Sequence, residues 1–143
     1  MHRTIAAAAM LLAQGAPAIS GQQGAPALPA LNVELNKLEQ VDGSCRSYMV
    51  VTNSAAADLQ TLTLDLVAFD RDGVIDRRLA ADLGPVAAGR TRVRVFDMTG
   101  LDCGQVVRVL VNDVLTCAPG DFADAGCDAA LAVSGRGAVE LIR

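Results

Sequence analysis

The sequence predicts an all-β fold, an antiparallel β-sandwich of about seven strands that follows an N-terminal signal peptide. Two observations predict the sandwich. Short segments of alternating apolar and polar residues recur about every 8–12 residues, and residues typical of turns stand between them. Strands and helices do not alternate along the chain, which argues against a parallel α/β sheet. The length of 143 residues suits a single domain.

The first 18 residues have the layout of a secretory signal peptide. Arg3 supplies a basic start, residues 5–13 form an apolar block, and Ala16-Pro17-Ala18 is a small-x-small cleavage pattern. An Ala-rich helix of the folded domain is the alternative. The apolar run is shorter than the roughly 18 residues that a membrane-spanning helix needs, and a polar segment follows it. We expect cleavage after Ala18.

Residues 19–30 are predicted to be a flexible leader, because they contain Gly, Gln and Pro without any periodicity. Cleavage after Ser20 or Ala27 is an alternative within this segment. The sandwich domain then spans residues 31–143.

Cleavage would restrict the chemistry of the mature chain. His2 is the only histidine, so mechanisms that pair serine or cysteine with histidine are excluded. Removing Arg3 would leave 11 basic residues against 16 acidic ones, a net charge of −5. An acidic chain of this kind is not expected to bind nucleic acid, which requires a basic surface.

The first two predicted strands flank a tight turn. Residues 31–35 alternate as a half-buried strand does. Leu38 breaks this phase, so the segment contains either a bulge or a short helix, and we favour the strand. Asp42-Gly43-Ser44 is a turn signal, and residues 46–52 return as the second strand.

The clearest pattern in the chain is a hairpin. Residues 59–69 alternate leucine or alanine with threonine, aspartate or valine. Asp70-Arg71-Asp72-Gly73 then supplies a turn, and residues 74–79 form the returning arm. Residues 83–89 contain two Gly and one Pro, and are predicted to be a connection.

The strand predicted over residues 90–97 alternates arginine with valine. We expect Val93 and Val95 to point inward and Arg92 and Arg94 to point outward.

The remaining segments complete the predicted sandwich. Residues 105–115 are rich in Val and Leu and are expected to form a more completely buried strand. Residues 118–128 are a Gly- and Asp-containing loop. Residues 130–134 and 138–142 then form either one broken last strand or a small hairpin.

Four cysteines favour two disulfides in an oxidising compartment. The C-x2–4-C spacing of zinc sites is absent, and four cysteines allow three pairings. If consecutive strands alternate in direction, the strands that begin near residues 46 and 105 start at the same end of the sandwich. We therefore expect Cys45 to pair with Cys103, and Cys117 to pair with Cys127 at the opposite end.

Two sequence features carry a resemblance to known domains. Residues 63–70, TLDLVAFD, end a hairpin arm in an aromatic residue and Asp, and LGPVAAG follows at residues 83–89. In these features the chain resembles FxLYD-type and fibronectin-III-like extracytoplasmic domains of bacteria over about residues 31–117. As a whole it is similar to small exported alphaproteobacterial proteins of unknown function that carry a generic Tat pathway signal label.

The resemblance implies an immunoglobulin/fibronectin-III-like sandwich and an extracytoplasmic compartment. It implies no activity and no site residues. Arg3 is the only arginine near the start, so the twin arginine of Tat signals is missing and Sec export is the more natural expectation.

Carboxylates are the candidate catalytic residues, and they form two groups: Asp70, Asp72 and Asp76, and Asp121, Asp124 and Asp128. A hydrolase that uses an Asp pair would need two carboxylates about 5–10 Å apart in a cleft. The first group could also suggest a calcium loop, but it lacks the closing Glu, and we expect a turn. No catalytic residue, metal site or cofactor is therefore predicted.

Arginines are the candidate binding residues. Arg90, Arg92 and Arg94 would share one face of a strand, and Arg77 would lie near them in a sandwich. Such a patch could bind an anion or a partner. The alternative is a solvated face whose arginines pair with Asp or Glu on neighbouring strands.

These observations predict a non-enzymatic binding or structural module that is periplasmic or secreted. It would contact another envelope protein through a sheet face or an edge strand. A small-ligand or metal carrier is the alternative and would need an enclosed pocket or a bound ion. A hydrolase that uses an Asp pair is the less favoured alternative.

Overall fold

The computed structural model describes residue 21 and residues 28–143. The predicted signal peptide and most of the predicted leader lie outside these described residues. Within the described residues, eight strands in two sheets confirm the predicted all-β sandwich of about seven strands.

The first sheet has the strand order β5-β2-β1-β7. Its members are β1 (Leu31–Val41), β2 (Ser44–Asn53), β5 (Thr91–Thr99) and β7 (Leu131–Gly135). β2 pairs antiparallel with both β1 and β5, whereas β7 runs parallel to β1. β5 and β7 are therefore the two edges of this sheet.

The second sheet has the strand order β4-β3-β6-β8. Its members are β3 (Thr61–Phe69), β4 (Ile75–Asp82), β6 (Arg108–Ala118) and β8 (Glu140–Ile142). β3 pairs antiparallel with β4, as the hairpin prediction requires, and antiparallel with β6. A five-residue helix, α1 (Gly126–Ala130), precedes β7.

The last two strands depart from the predicted antiparallel pairing. β7 joins the first sheet parallel to β1, and β8 joins the second sheet parallel to β6. The last two segments are therefore neither one broken strand nor an ordinary hairpin. Local alternation identifies a strand, but contacts with β1 and β6 decide which sheet the strand joins.

A bulge explains the broken alternation in β1. Leu35 lies opposite Met49, and the register then shifts, so that Lys37 lies opposite Tyr48. An extra residue in one strand of a pair changes which side chains face inward, and Leu38 therefore returns to the core side. The strand interpretation is confirmed, and the helix alternative is wrong.

The core lies between the two sheets and is almost entirely aliphatic. Even-numbered side chains of β3 are buried, as their alternation predicts, and they face buried odd-numbered side chains of β1 and β2. The participating residues are Leu62, Leu64, Leu66 and Ala68 on β3, Leu31, Val33 and Leu35 on β1, and Met49 and Val51 on β2.

Both predicted disulfides are present. Cys45 at the start of β2 is bonded to Cys103 before β6, with a Cα–Cα distance of 5.0 Å. Cys117 near the end of β6 is bonded to Cys127 in α1, with a Cα–Cα distance of 6.0 Å. The bridges therefore stabilise opposite ends of the sandwich, one across 58 residues and the other across 10.

Candidate functional site

The β5 edge is an uncovered strand edge of nine residues, because β5 pairs only with β2 among the described strands. Asn53 donates its backbone N–H to the carbonyl of Arg90 at 2.9 Å, and Gly100 donates to Gly43 at 2.8 Å. Hydrogen-bonded pairs alternate along an antiparallel ladder, which fixes the direction of every peptide group in between. The groups that point away from β2 belong to Thr91, Val93, Val95, Asp97 and Thr99.

Two valines of this edge are exposed to solvent. The exposed fraction is 56% for Val93 and 51% for Val95. Val93 lies opposite the half-buried Val50, and Val95 lies opposite the half-buried Tyr48. Together these four side chains form the valine patch, on the outer face of the first sheet beside the free edge.

The predicted orientation of β5 is wrong. Val93 and Val95 point outward, whereas Arg92 and Arg94 lie opposite the buried Val51 and Met49 and share their inward-facing side. At an edge strand the inward side is only half covered, so a long arginine side chain reaches solvent past the rim of the core. The prediction that valine and arginine side chains point to opposite faces of β5 is therefore confirmed, but the faces are exchanged.

Arg94 has a structural role on this inward side. It donates from Nε to the carbonyl of Leu83 at 3.1 Å and from a terminal nitrogen to the carbonyl of Pro85 at 2.8 Å. Leu83 and Pro85 belong to the connection between β4 and β5. Arg94 therefore holds this connection against β5.

The other predicted patch residues are spread along the same side of the sandwich. Arg92 is exposed and lines an open cleft of about 240 Å³ with Asp58 and Pro85. Arg90 lies just before β5, so only Arg92 and Arg94 share a strand face. Arg77 is half-buried on β4, and its terminal nitrogen approaches Gly100 after β5. The structure thus places Arg77 and Arg92 along one gap, between β4 and β5, which we call the open side.

The ion pairs of the protein avoid the open side. Within residues 28–143, carboxylates pair with Lys37, Arg46, Arg78, Arg108, Arg136 and Arg143. The four predicted patch residues make no such pair in the described chain, although acidic residues outnumber basic ones. The predicted alternative, a solvated face paired with cross-strand carboxylates, therefore does not describe these arginines.

One ion pair joins β5 to β2 on the outer face. Arg46 donates to both carboxylate oxygens of Asp97, at 2.7 and 3.0 Å. The hydrogen bonds from Arg46 hold the pKa of Asp97 below its usual value. On the same face, Tyr48 donates to Glu39 at 2.6 Å, and this bond together with Lys37 lowers the pKa of Glu39. The polar side chains of Arg46, Asp97 and Glu39 thus lie next to the valine patch on the outer face of the first sheet.

Sequence reasoning missed a polar cluster on the outer face of the second sheet. Asp65 on β3 is only 3% exposed and accepts two hydrogen bonds from Arg78, at 2.8 and 2.7 Å, and one from Asn112 at 2.7 Å. These donors hold the pKa of Asp65 below its usual value. The cluster connects β3 to both of its neighbours. An aspartate in the middle of a leucine-rich strand was the available signal.

The two candidate groups of carboxylates do not form one site. Asp70 accepts backbone hydrogen bonds from Asp72 at 2.9 Å and Val74 at 2.8 Å, which confirms the predicted turn. This turn adjoins the start of β6, whereas the group from Asp121 to Asp128 follows its end, and β6 is 11 residues long. A strand of that length separates the groups by about 30 Å.

The described residues contain no cluster of three or more side chains suited to hold a metal ion. An open cleft within residues 28–143 has a volume of about 410 Å³. It is lined by the β1 bulge, Cys103 and the β7–β8 turn. Arg136, its nearest guanidinium, is paired with Glu34 at 2.9 Å.

None of the helices that the structure describes has the length and apolar character needed to span a membrane. A scan against models of protein families, a search of curated proteins and a search of solved structures each found no match to this chain.

Proposed function

We propose that this protein is an extracytoplasmic binding module that captures a segment of another envelope protein along the β5 edge. The observation that carries the proposal is the free edge itself, whose peptide groups point away from β2 beside the exposed Val93 and Val95. A strand added to such an edge gains main-chain hydrogen bonds and packs its alternate side chains on its neighbours. Neither a resident cofactor nor catalysis is part of this role.

The proposal includes an oxidising compartment. Two disulfides support it, because disulfides persist outside the reducing cytosol. We further propose a cleaved signal peptide, a periplasmic or secreted location, and an immunoglobulin-like class for the sandwich. The intact mass of the exported protein tests cleavage of the signal peptide. We expect a chain that begins at Ile19, and an uncleaved chain would contradict this proposal.

Site-specific crosslinking tests the binding role. A photo-reactive amino acid at Val93 is expected to join the exported protein to one identified envelope protein. The matched control is the same group at Leu115, which is 48% exposed on the other sheet. Equal labelling from both positions, or labelling of many unrelated proteins, would contradict a specific edge.

A second variant tests the backbone of the edge. In Val95→Pro the lost N–H is one that points away from β2, so the β2–β5 ladder keeps its hydrogen bonds, and proline is tolerated at such positions of edge strands. We expect a folded protein whose crosslink from Val93 is lost. A crosslink that survives in the folded variant would show that main-chain pairing is not involved.

A further inference from the structure

The open side carries two arginines, Arg77 and Arg92, beside the carboxylate of Asp58, which accepts a hydrogen bond from the backbone N–H of Ala88. Arg77 and Arg92 reach into this gap from the two sheets, and neither pairs with a carboxylate within the described residues. The buried Nε of Arg77 has no hydrogen-bond partner in the part of the chain that the structure describes. Buried donors normally have one, so Arg77 is held here without the polar partner that a buried guanidinium usually has.

A strand added to β5 would meet two different surfaces. Its side chains alternate, so every second residue would lie beside Arg92, Arg94 and Phe96 on the inner side. The residues between them would lie beside Val93 and Val95 on the outer side. Directly opposite side chains on neighbouring strands interact most strongly, and opposite charges in these positions stabilise the pair.

The same arginines disfavour other occupants of the edge. Inward-pointing charges on an edge strand discourage pairing with a strand that cannot match them. A second copy of β5 would bring its own Arg92 and Arg94 into the same layer, where like charges repel. The predicted leader, residues 19–30, contains no acidic residue that could match them.

We propose that the occupant of the β5 edge is an extended segment of a partner protein in which acidic residues alternate with aliphatic or β-branched ones. Its carboxylates face Arg92 and Arg77, and its apolar side chains continue the valine patch. This inference rests on the proposed binding role of the edge and specifies the chemistry of the partner. The arginines then provide specificity, because they favour acidic strands and disfavour other strands at this edge.

Labelled peptides test this inference on the oxidised mature chain. The probe alternates valine with glutamate, one control replaces each glutamate with lysine, and another contains the same residues in separate blocks. Fluorescence anisotropy is expected to show about tenfold tighter binding of the alternating glutamate peptide than of either control, with the difference reduced by salt. Equal binding of the three peptides, or no binding, would overturn the inference.

Arg92 variants assign the charge preference to the open side. Arg92→Gln is expected to weaken binding of the glutamate peptide, whereas Arg108→Gln, the same change of charge on the other sheet, leaves it unchanged. Arg92→Glu is expected to reverse the preference toward the lysine peptide. Arg92 is exposed and makes no ion pair among the described residues, so both variants should fold.

The outcomes separate this inference from the proposed function. If Val95→Pro abolishes the crosslink while the Arg92 variants leave the charge preference unchanged, the edge binds a partner but the acidic specificity is wrong. A dimer of the free chain in sedimentation that Val95→Pro dissociates would identify a second copy as the occupant and overturn the inference. Binding of anionic vesicles, lost in Arg92→Gln, without binding of any peptide would overturn it in favour of a lipid surface.

Discussion

The two long sides of the sandwich are completed in different ways. On one side, the chain crosses from β7 to β8 and closes the gap between the sheets, and we call this the closed side. A Cβ at Gly135 would lie 2.6 Å from the carbonyl oxygen of Val139, so the backbones approach more closely than any other residue permits. On the open side, β4 and β5 are not joined by a ladder and arginines enter the gap.

This difference distinguishes the side that we expect to determine stability from the side that we propose to bind a partner. On the closed side the backbones approach closely at Gly135 and the side chain of Leu141 is buried, so substitutions at these two positions disturb close packing. Among the described residues, the open side keeps the outward peptide groups of β5 without a neighbouring strand and the guanidinium groups of Arg77 and Arg92 without a carboxylate partner. We therefore expect substitutions at Gly135 and Leu141 on the closed side to change the free energy of unfolding, and substitutions at Val95 and Arg92 on the open side to leave it nearly unchanged.

The largest expected difference comes from truncating one aliphatic side chain on each side. Leu141→Ala on β8 removes a side chain that is 5% exposed and should cost about 2–5 kcal/mol in the free energy of unfolding. Val95→Ala on β5 should stay within about 0.5 kcal/mol of the wild type. Urea denaturation of the oxidised proteins measures both values. Similar losses for the two variants would contradict the comparison.

A smaller effect is expected from Gly135→Ala, because its Cβ would meet backbone atoms of Val139 and Leu141. Overpacking of this kind costs about 1–3 kcal/mol. Gly120→Ala is the matched control, since a Cβ there meets nothing within 4 Å, and its effect should be close to zero. Thermal denaturation distinguishes the two. An unchanged Tm for Gly135→Ala would show that the crossing is less constrained than its geometry indicates.

Arg94 and Arg92 test whether the arginines of the open side are alike. Arg94→Met removes the donors to the carbonyls of Leu83 and Pro85 and should cost about 1–2 kcal/mol. Arg92→Met should leave the free energy of unfolding within about 0.5 kcal/mol of the wild type. The same urea series provides the measurement, and a larger loss for Arg92→Met would contradict the proposal that Arg92 serves binding rather than stability.

The smallest effect is expected from the ion pairs that join each edge strand of the first sheet. In the folded state the pKa of Asp97 lies below its ordinary value of 3.8, because Arg46 stabilises the charged form. Its contribution is therefore complete above pH 3.8 and is lost as the pH falls through the lower, folded value. Asp97→Asn should lower Tm slightly at pH 7 and by less at pH 2, and salt should reduce the effect at pH 7.

Glu34 gives the matching test on the closed side. Its pKa is lowered first by Asn36 and then by Arg136, so Glu34→Gln should show the same direction of pH dependence. A Tm difference that persists unchanged at pH 2 in either variant would indicate a packing effect rather than the ion pair.

Sequence patterns predicted the sandwich where alternation and turn chemistry agree. β3 is the clearest case, because Leu62, Leu64 and Leu66 face the core and Asp70 and Gly73 form the turn that follows. The disulfide pairing was predictable once the strands were located, because their alternating directions determine which strand ends, and therefore which cysteines, lie close together.

The candidate site was predictable in composition but not in geometry. The sequence identified Arg92 and Arg94 but predicted that their side chains point outward, whereas they point inward. The prediction rested on the rule that valine faces the core, and this rule fails on an edge strand, which the sequence alone does not reveal. The sheet that β7 joins depends on pairing with β1, about 100 residues away in the chain. Such information lies in tertiary contacts and not in any local segment.

The position of β1 has a consequence for the order in which the domain folds. β1 lies between β2 and β7, so the first of the described strands pairs with the last but one, with Leu31 opposite Leu131. Pairings of such large sequence separation form slowly, in milliseconds to seconds for sandwiches, because much chain entropy is lost before they are made. A chain that emerges with its N-terminus first therefore cannot complete the first sheet until nearly all of it has been released.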